Sequence, residues 1–205
     1  MIKSTSLILI GAGGHCKSCI SLITSTPQYS IYGIVDKDGS KIDRILDHNV
    51  IGSDSELETL LRVNRHALVA VGQIKSPALR ISIFNKSKDF GGIFPVIKSP
   101  LSYISSNSEL GEGTAVFHHS IVNSSAKIGR NCILNNKTLI EHDVTIGSHC
   151  HISTGALING GVIIEDECFV GSGAILYEGI KIGAKSIISA GAVVRKDLLS
   201  GTIFK

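Results

Sequence analysis

Residues 128–152 read IGRNCILNNKTLIEHDVTIGSHCHI, and this stretch repeats every six residues. Stepping by six from Ile128 always lands on an aliphatic residue, and the position four further on is mostly small. The same phase holds without interruption from Ile104 to Val194. A strict short period indicates a solenoid, in which each repeat buries its apolar side against its neighbours.

The hexad pattern resembles the hexapeptide-repeat left-handed parallel β-helix, in which residues one coil apart stack on each other. Handedness and coil length follow from that resemblance. The phase places the aliphatic and small positions inside the coil. Cys132, Cys150 and Cys168 are 18 residues apart and share the small position. We therefore expect them to form an internal ladder as small hydrophobes, not as a disulfide or a metal site.

Residues 1–100 follow a different pattern, in which predicted strands and helices alternate. Three strands are predicted at SLILIGAGGH, YSIYGIVD and HALVAVGQ, each followed by a segment that can form a helix. Alternation of this kind indicates a parallel sheet with right-handed crossovers. The sequence thus predicts an α/β Rossmann-like domain over 1–100 and an all-β hexapeptide-repeat left-handed parallel β-helix over 101–205.

Composition excludes several classes of protein. The net charge of +3 is spread evenly without a Lys/Arg run, which argues against nucleic-acid binding. No apolar run approaches the roughly 20 residues of a membrane span. The N-terminal apolar run is followed by a glycine turn rather than a cleavage site, so we expect a cytoplasmic protein. Cys16 and Cys19 form a C-x-x-C, which is either a redox pair or two small helix residues.

Three histidines, His142, His149 and His151, lie within ten positions. Their phase puts all three outside the repeat core, where they are a metal site, a catalytic base or solvated polar residues. A metal site needs a convergent ligand set with known spacing, which this stretch lacks, so we expect no metal. A base is favoured because Glu141 and Asp143 flank His142, and a flanking carboxylate orients an imidazole.

Gly160 lies 18 residues after His142, in the sequence INGG. One coil along the helix, its backbone N–H would lie close to the base. Such a donor can stabilise an oxyanion while an acyl group is attacked.

These motifs occur together in one known family. GAGGHCK at 11–17, VAVG with Arg80, and a hexapeptide helix bearing IEHD and NGG resemble the bacterial sugar acyltransferases. That family includes acetyltransferases of UDP-4-amino-dideoxy sugars, their GDP- and dTDP-amino-sugar relatives, and sialic acid O-acetyltransferases. The match extends over almost the whole chain in the same order.

The resemblance implies roles for residues of the β-helix. It makes His142 the catalytic base, Asp143 its acidic partner, and His151 the histidine near the thioester sulfur of acyl-CoA. The Gly160 N–H would bind the thioester oxygen, and Asn135 would lie near the acceptor. The family implies a homotrimer with acetyl-CoA in a cleft between subunits. The family's usual G-x-P-A-K-like tail is missing, so contacts to the nucleotide end of CoA are expected elsewhere, for example on a neighbouring chain.

The resemblance also implies a sugar-nucleotide site in the first domain. Gly11, Gly13 and Gly14 would approach the phosphates with His15 nearby, and Asp36 and Lys37 would contact the nucleoside. Clustered glycines before a helix let backbone N–H groups reach phosphate oxygens. The turn is G-x-G-G-H rather than the dinucleotide fingerprint, which argues against NAD.

The expected function is therefore transfer of an acetyl group from acetyl-CoA to the amino group of a nucleotide-linked amino sugar, for surface glycan biosynthesis. O-acetylation of a sialic-acid-type sugar and a catalytically silent trimeric binding protein are the alternatives. The sugar, the nucleotide and the length of the acyl group stay open at the level of sequence.

Overall fold

A computed structural model describes residues 4–205 and divides them into two compact units. The first comprises residues 4–72 and Ala78–Pro95, and the second comprises Gln73–Pro77 and Val96–Lys205. No helix within residues 4–205 is long and apolar enough to cross a membrane.

The first unit is an α/β fold built on a five-stranded sheet in the order β3-β4-β2-β1-β5. Its elements are β1 (Thr5–Ile10), α1 (Gly14–Thr24), β2 (Tyr29–Asp36), β3 (Arg44–Ile45), β4 (His48–Ser53), α2 (Leu57–Val63), β5 (Ala67–Val69) and α3 (Ala78–Asp89). The pairs β1–β2, β1–β5 and β2–β4 are parallel, which confirms the predicted sheet. The β3–β4 pair is an antiparallel hairpin that the sequence pattern did not predict.

Apolar strands hold this unit together. Ile8, Ile10 and Val35 are fully buried and pack against Phe84 of α3 and Leu61 of α2 in one cluster. The strands β1, β2 and β5 carry buried residues in succession rather than in alternation, as expected for a parallel sheet covered on both faces.

Arg80 closes the carboxyl end of β5. It is buried, and its guanidinium donates hydrogen bonds to the carbonyls of Val69 and Val71 at 2.7 and 3.0 Å. A buried charge needs such partners to be tolerated. This contact explains why Arg80 accompanies the VAVG segment.

The C-x-x-C of α1 lies in the core of this unit. Cys16 and Cys19 are both fully buried. Burial raises the pKa of Cys16 to about 11 and that of Cys19 to about 12. A reactive thiol needs a lowered pKa and exposure, so the two residues act as small apolar helix residues and not as a redox pair.

The second unit is the predicted hexapeptide-repeat left-handed parallel β-helix. Its strands are two residues long: β6 (Ile97–Lys98), β7 (Tyr103–Ile104), β8 (Glu109–Leu110), β9 (Ala115–Val116), β10 (Ile121–Val122), β11 (Lys127–Ile128), β12 (Ile133–Leu134), β13 (Leu139–Ile140), β14 (Thr145–Ile146), β15 (His151–Ile152), β16 (Leu157–Ile158), β17 (Ile163–Ile164), β18 (Phe169–Val170), β19 (Ile175–Leu176), β20 (Lys181–Ile182), β21 (Ile187–Ile188), β22 (Val193–Val194) and β23 (Ile203–Phe204).

These strands form three parallel sheets, one for each face of the coil. Face 1 contains β6, β9, β12, β15, β18, β21 and β23; face 2 contains β7, β10, β13, β16, β19 and β22; face 3 contains β8, β11, β14, β17 and β20. Leu139 pairs with Leu157, and Ile133 pairs with His151, so residues 18 apart stack in register.

The interior of the coil is a single column of buried side chains. The second residue of each pair, such as Ile140, Ile158 and Leu176, points inward and is fully buried. Cys132, Cys150 and Cys168 lie in the same cluster, which confirms the internal ladder. Their thiols donate to backbone carbonyls of the neighbouring coil at 3.2–3.3 Å, for example Cys132 to Gly147.

Candidate active site

The turn from face 2 to face 3 holds the residues of the IEHD motif. Glu141–Val144 connects β13 to β14, and Asp143 adopts a left-handed backbone with φ of 60°. Asp tolerates this conformation better than most residues. The turn brings together two side chains that in a straight strand would point to opposite faces. His142 Nδ1 and Asp143 Oδ2 lie 2.8 Å apart.

This contact sets the chemical state of the imidazole. With Nδ1–H donating to the carboxylate, Nε2 is left as the acceptor for a proton. The hydrogen bond that Nδ1–H donates to Asp143 raises the pKa of His142. Desolvation lowers this pKa, and the charges of Asp143, Glu141 and Glu178 raise it further. His142 and Asp143 side chains are 60% and 64% exposed, so the pair is open to a substrate.

Gly160 occupies the equivalent turn position one coil along and packs against the base. A Cβ atom at Gly160 would lie 2.8 Å from both Cε1 and Nε2 of His142. The Gly161 N–H donates to the His142 carbonyl at 3.0 Å, which fixes the stacking of the two turns. Within residues 4–205, no acceptor is recorded for the Gly160 N–H itself. The predicted trio of His142, Asp143 and Gly160 is thus assembled by one chain.

The glycine turn of the first unit precedes the N-terminus of α1 and leaves that end of the helix uncovered. Gly11 has φ of +111° and lies against Val71, where a Cβ would clash at 2.5 Å. Gly13 caps α1 without a side-chain hydrogen bond, and within residues 4–205 a Cβ at Gly13 or Gly14 would meet no atom closer than 4 Å apart from its local backbone. The backbone here is therefore accessible to an anion, as the positive end of a helix dipole favours.

The turn is tied to the end of β2. The Ala12 N–H donates to Asp36 Oδ1 at 3.1 Å. Burial raises the pKa of Asp36, but hydrogen bonds from Ser40 and from the Ala12 and Lys37 backbones, with the Lys37 charge, outweigh it and hold the pKa below its usual value. Asp36 and Lys37 line a cavity of about 220 Å³. His15 lies beside Gly72, whose Cβ would be 3.4 Å from the His15 Cβ.

Models of known protein families match both the α/β unit and the β-helix. The PglD N-terminal domain family matches residues 6–87, the bacterial transferase hexapeptide (six repeats) matches 125–160, and the hexapeptide repeat of succinyl-transferase matches 161–196. None of the curated proteins matches the chain.

Solved structures resemble the whole chain. PerB from Caulobacter crescentus, in complex with CoA and GDP-perosamine, is 31% identical with a TM-score of 0.87; the alignment covers 98% of this chain and 92% of PerB. The chain belongs to the bacterial sugar acyltransferase family. The acetyltransferase domain of PglB from Neisseria gonorrhoeae, in complex with acetyl coenzyme A, is 27% identical with a TM-score of 0.88, covering 97% and 95% of the two chains. WeeI from Acinetobacter baumannii, 20% identical with a TM-score of 0.70 over 98% and 97% of the two chains, shares the fold.

In this acyltransferase, His149 and His151 lie outside the aliphatic core, as their phase predicts, but they are covered. Both are only 7% exposed. His149 Nδ1 lies 3.0 Å from the Asn131 side-chain nitrogen. His151 Nδ1 lies 2.6 Å from the Gln73 carbonyl, and its ring packs edge-on against Phe169 at 5.2 Å. Phase thus predicted the position of these two residues outside the aliphatic core but not their burial, and of the three histidines His142 alone is open.

The covering of His151 comes from the segment Gln73–Pro77, which groups with the β-helix. Gln73 is itself buried, and its side-chain amide donates to the Cys168 carbonyl at 3.3 Å. With Nδ1–H held by the Gln73 carbonyl, the neutral ring presents Nε2 as an acceptor. A role of His151 beside the thioester sulfur stays a prediction.

Asn135 lies at a different corner of the acyltransferase, where face 1 turns to face 2. Its Oδ1 accepts the Asn136 N–H at 2.8 Å, which leaves the side-chain NH₂ as the outward donor. The structure of one chain does not bring Asn135 and His142 to the same turn. Its place near the acceptor stays a prediction.

The corner of His142 continues as a column that sequence reasoning missed. Positions 160, 178 and 196 follow His142 at intervals of 18, and they are Gly160, Glu178 and Lys196. The Arg195 guanidinium, beside Lys196, lies 5.2 Å over the ring of Tyr177. Gly161 and Gly179 fill the third position of the intervening turns. The column thus has a glycine next to His142 and a basic residue, Lys196, three coils away. Stepping by 18 residues from His142 through the sequence would have revealed it.

Among residues 4–205, no group of three or more His, Cys, Asp or Glu side chains is arranged to hold a metal ion.

Proposed function

We propose that the protein transfers the acetyl group of acetyl-CoA to the amino group of a nucleotide-linked amino sugar, in the cytoplasm, for surface glycan biosynthesis. The observation that carries the proposal is the His142–Asp143 pair with Nε2 open, packed against the Gly160 backbone. PerB, which binds CoA and GDP-perosamine, and the acetyl-CoA-bound PglB domain support both substrate classes.

The mechanism is direct transfer within a ternary complex. The acceptor nitrogen attacks the thioester carbonyl, and His142 Nε2 takes the proton that the nitrogen loses. Charge develops on the carbonyl oxygen, which accepts a hydrogen bond from the Gly160 N–H. The tetrahedral intermediate collapses by breaking the C–S bond, and the CoA thiolate leaves and is protonated. Asp143 holds the ring and stabilises the imidazolium. A cysteine intermediate is disfavoured because the repeat cysteines face inward.

The charge around the base favours an amine acceptor. Asp143, Glu141 and Glu178 all act on His142, and each favours a positive charge there. An amino sugar arrives partly as an ammonium ion, which this field attracts and which must lose a proton before it attacks. A sialic-acid-type sugar carries a carboxylate, which the same field repels. N-acylation is therefore preferred over O-acylation.

The outer surface of face 2 supports a homotrimer. Its outward positions are all apolar, and Tyr103 is 60% exposed in the single chain. The six residues are Tyr103, Ile121, Leu139, Leu157, Ile175 and Val193. The equivalent positions of face 3 include Glu109, Lys127, Thr145 and Lys181. An apolar stripe on one face favours burial against another copy, and closed cyclic symmetry satisfies every copy.

This packing would place His142 at the edge of the buried face, because its turn borders face 2. The acyl-CoA donor would then lie along the corner column in a cleft between copies. Arg195 and Lys196, both exposed, offer positive charge for the CoA phosphates. We include this placement of the donor in the proposal.

A release assay for free CoA tests the function. The wild-type protein, supplied with acetyl-CoA and a panel of UDP-, GDP- and dTDP-linked 4-amino sugars and free sialic acid, should release CoA with at least one amino sugar. His142→Ala should lose about 10²–10⁴ in kcat, the contribution of a general base. Ser106→Ala is the control, because Ser106 holds the same position of the same corner two coils earlier and is exposed.

The alternatives give different results in this assay. CoA release with sialic acid but with none of the amino sugars would show that the acceptor group is a hydroxyl rather than an amine. A catalytically silent scaffold would release no CoA with any acceptor and show no heat on titration with acetyl-CoA. If the His142→Ala variant keeps the wild-type kcat across pH 6 to 9, with both substrates saturating, His142 is not the base.

A further inference from the structure

A cavity at the carboxyl end of β2 has the size and the lining residues to bind the base of the nucleotide. It measures about 220 Å³ and is lined by the end of β2, the loop that follows and β4. That volume is below the roughly 300–1,000 Å³ of pockets for drug-sized ligands. The cavity is therefore suited to a nucleoside rather than to a whole nucleotide sugar. Asp36 and Lys37, the predicted nucleoside contacts, both line it.

Three carboxylates line this cavity, and two of them are already engaged within the protein. Asp36 accepts the Ala12 N–H. Glu56 Oε2 accepts the Ser53 N–H at 2.9 Å and the Ser53 hydroxyl at 3.2 Å. Internal hydrogen bonds thus hold Asp36 and Glu56 in place.

Asp43 is the third carboxylate, and its oxygens are available. Its backbone is fixed at the base of the β3–β4 hairpin, because its carbonyl accepts the Val50 N–H at 2.9 Å. Its side chain is exposed, and within residues 4–205 it has no recorded hydrogen bond or ion pair. An acceptor pair at the wall of a nucleoside-sized cavity can select among bases by their hydrogen-bond donors.

Only guanine among the common bases satisfies both oxygens of a carboxylate. Its N1–H and N2–H donors are adjacent on one edge. Uracil and thymine offer a single N3–H between two carbonyl oxygens, which a carboxylate repels. Adenine and cytosine place a ring-nitrogen acceptor beside their amino donor. Charge-assisted bidentate hydrogen bonds are also among the stronger ones.

We propose that Asp43 binds the Watson–Crick edge of guanine and selects a GDP-linked amino sugar as the acceptor. The inference rests on the proposed acyl transfer to a nucleotide-linked sugar. Asp43 is then a specificity-determining residue, and Lys37 is placed at the same cavity to balance its charge.

Calorimetric titration of the full chain with GDP, IDP and UDP tests this assignment. The wild type should bind GDP more tightly than UDP by about 5- to 150-fold, the range of a bidentate contact to one base. IDP lacks the N2 amino group and should bind with intermediate affinity. Asp43→Asn should lower the affinity for GDP and remove the difference between GDP and IDP, while binding of UDP changes little.

Asp47→Asn is the matched control. Asp47 lies in the turn of the same hairpin, is 97% exposed and pairs with Arg44 at 3.6 Å, outside the cavity lining. It should leave all three affinities unchanged. Circular dichroism should show the same fold for both variants, since each replaces an exposed carboxylate by an amide.

Two outcomes would overturn the inference. One is a wild type that binds UDP as tightly as GDP; the other is an Asp43→Asn variant that keeps the wild-type preference for GDP. Either result, together with CoA release from a UDP- or dTDP-linked amino sugar, would leave the proposed acyl transfer intact. Absence of CoA release with every nucleotide sugar, despite GDP binding, would instead remove the proposed function.

Discussion

Replacement of Gly160 by alanine should displace the imidazole of His142, the proposed catalytic base, without changing its chemistry. The added Cβ would lie 2.8 Å from Cε1 and Nε2 of His142, whereas ordinary contacts are 3.4–4 Å. The imidazole must therefore move by roughly 0.6–1.2 Å, and a misplacement of about 1 Å can cost about 10²-fold in rate. We expect kcat of Gly160→Ala to fall about 10²-fold.

The backbone should tolerate this change. Gly160 is not among the glycines with a left-handed φ, in contrast to Gly161 at 66°. The three atoms nearest to the new Cβ all belong to the His142 ring, which is exposed and able to rotate. Alanine also keeps the N–H, so the oxyanion donor survives. Thermal unfolding and the sedimentation coefficient should match those of the wild type.

A double-mutant cycle decides whether the loss acts through His142. Gly160→Ala should cost about 10²-fold in the wild type and close to nothing in a His142→Ala background, because no ring remains to be displaced. Initial rates of CoA release at saturating acceptor and acetyl-CoA supply the four values of kcat. Equal losses in both backgrounds, or a single variant with wild-type kcat, would refute the argument.

Three further predictions follow from the same geometry. Asp143→Asn keeps a residue that tolerates the left-handed turn but removes the charge that raises the pKa of His142. Because the neutral imidazole is the proposed active form, the rising limb of the pH profile of kcat should move to lower pH and its plateau should drop. A rising limb at the wild-type pH would contradict the role of Asp143. Gly14→Val places its Cβ where, local backbone aside, no atom of residues 4–205 lies within 4 Å, so the fold should persist while KM for the sugar nucleotide rises and KM for acetyl-CoA stays constant. An unchanged acceptor KM would show that the turn is not the site. Leu157→Glu puts a charge in the apolar stripe of face 2 and should convert the proposed trimer to a monomer in sedimentation velocity, whereas Thr145→Glu on face 3 should not. A wild type that is already a fully active monomer would contradict the proposed trimer.

Much of the β-helix could be predicted from the sequence because its period is a direct consequence of local geometry. A residue every six positions faces the interior, so the aliphatic column follows from the spacing. The coil of 18 residues, which the resemblance implies, then predicts that the cysteines form a ladder and that Gly160 stacks beside His142. The resemblance to the acyltransferases then assigns chemistry to positions that the period has already placed.

The hairpin of the first unit shows where the sequence pattern fails. Its strands β3 and β4 contain Arg44, Asn49 and only short apolar runs, so no period marks them. They form because β4 pairs with β2, a contact between segments far apart in the chain. Asp43 acquires its place in the cavity through this pairing.

Tertiary structure alone decided the states of the histidines. Phase placed His142 and His151 alike outside the core, yet His142 is 60% exposed and His151 is 7% exposed. The difference arises because Gln73, 78 residues earlier, packs over His151 and accepts its Nδ1–H. Likewise, adjacency in sequence did not predict the contact of His142 with Asp143, which depends on the left-handed φ of the turn. Local periodicity determines which way a side chain points, but only packing between distant segments determines what it meets there.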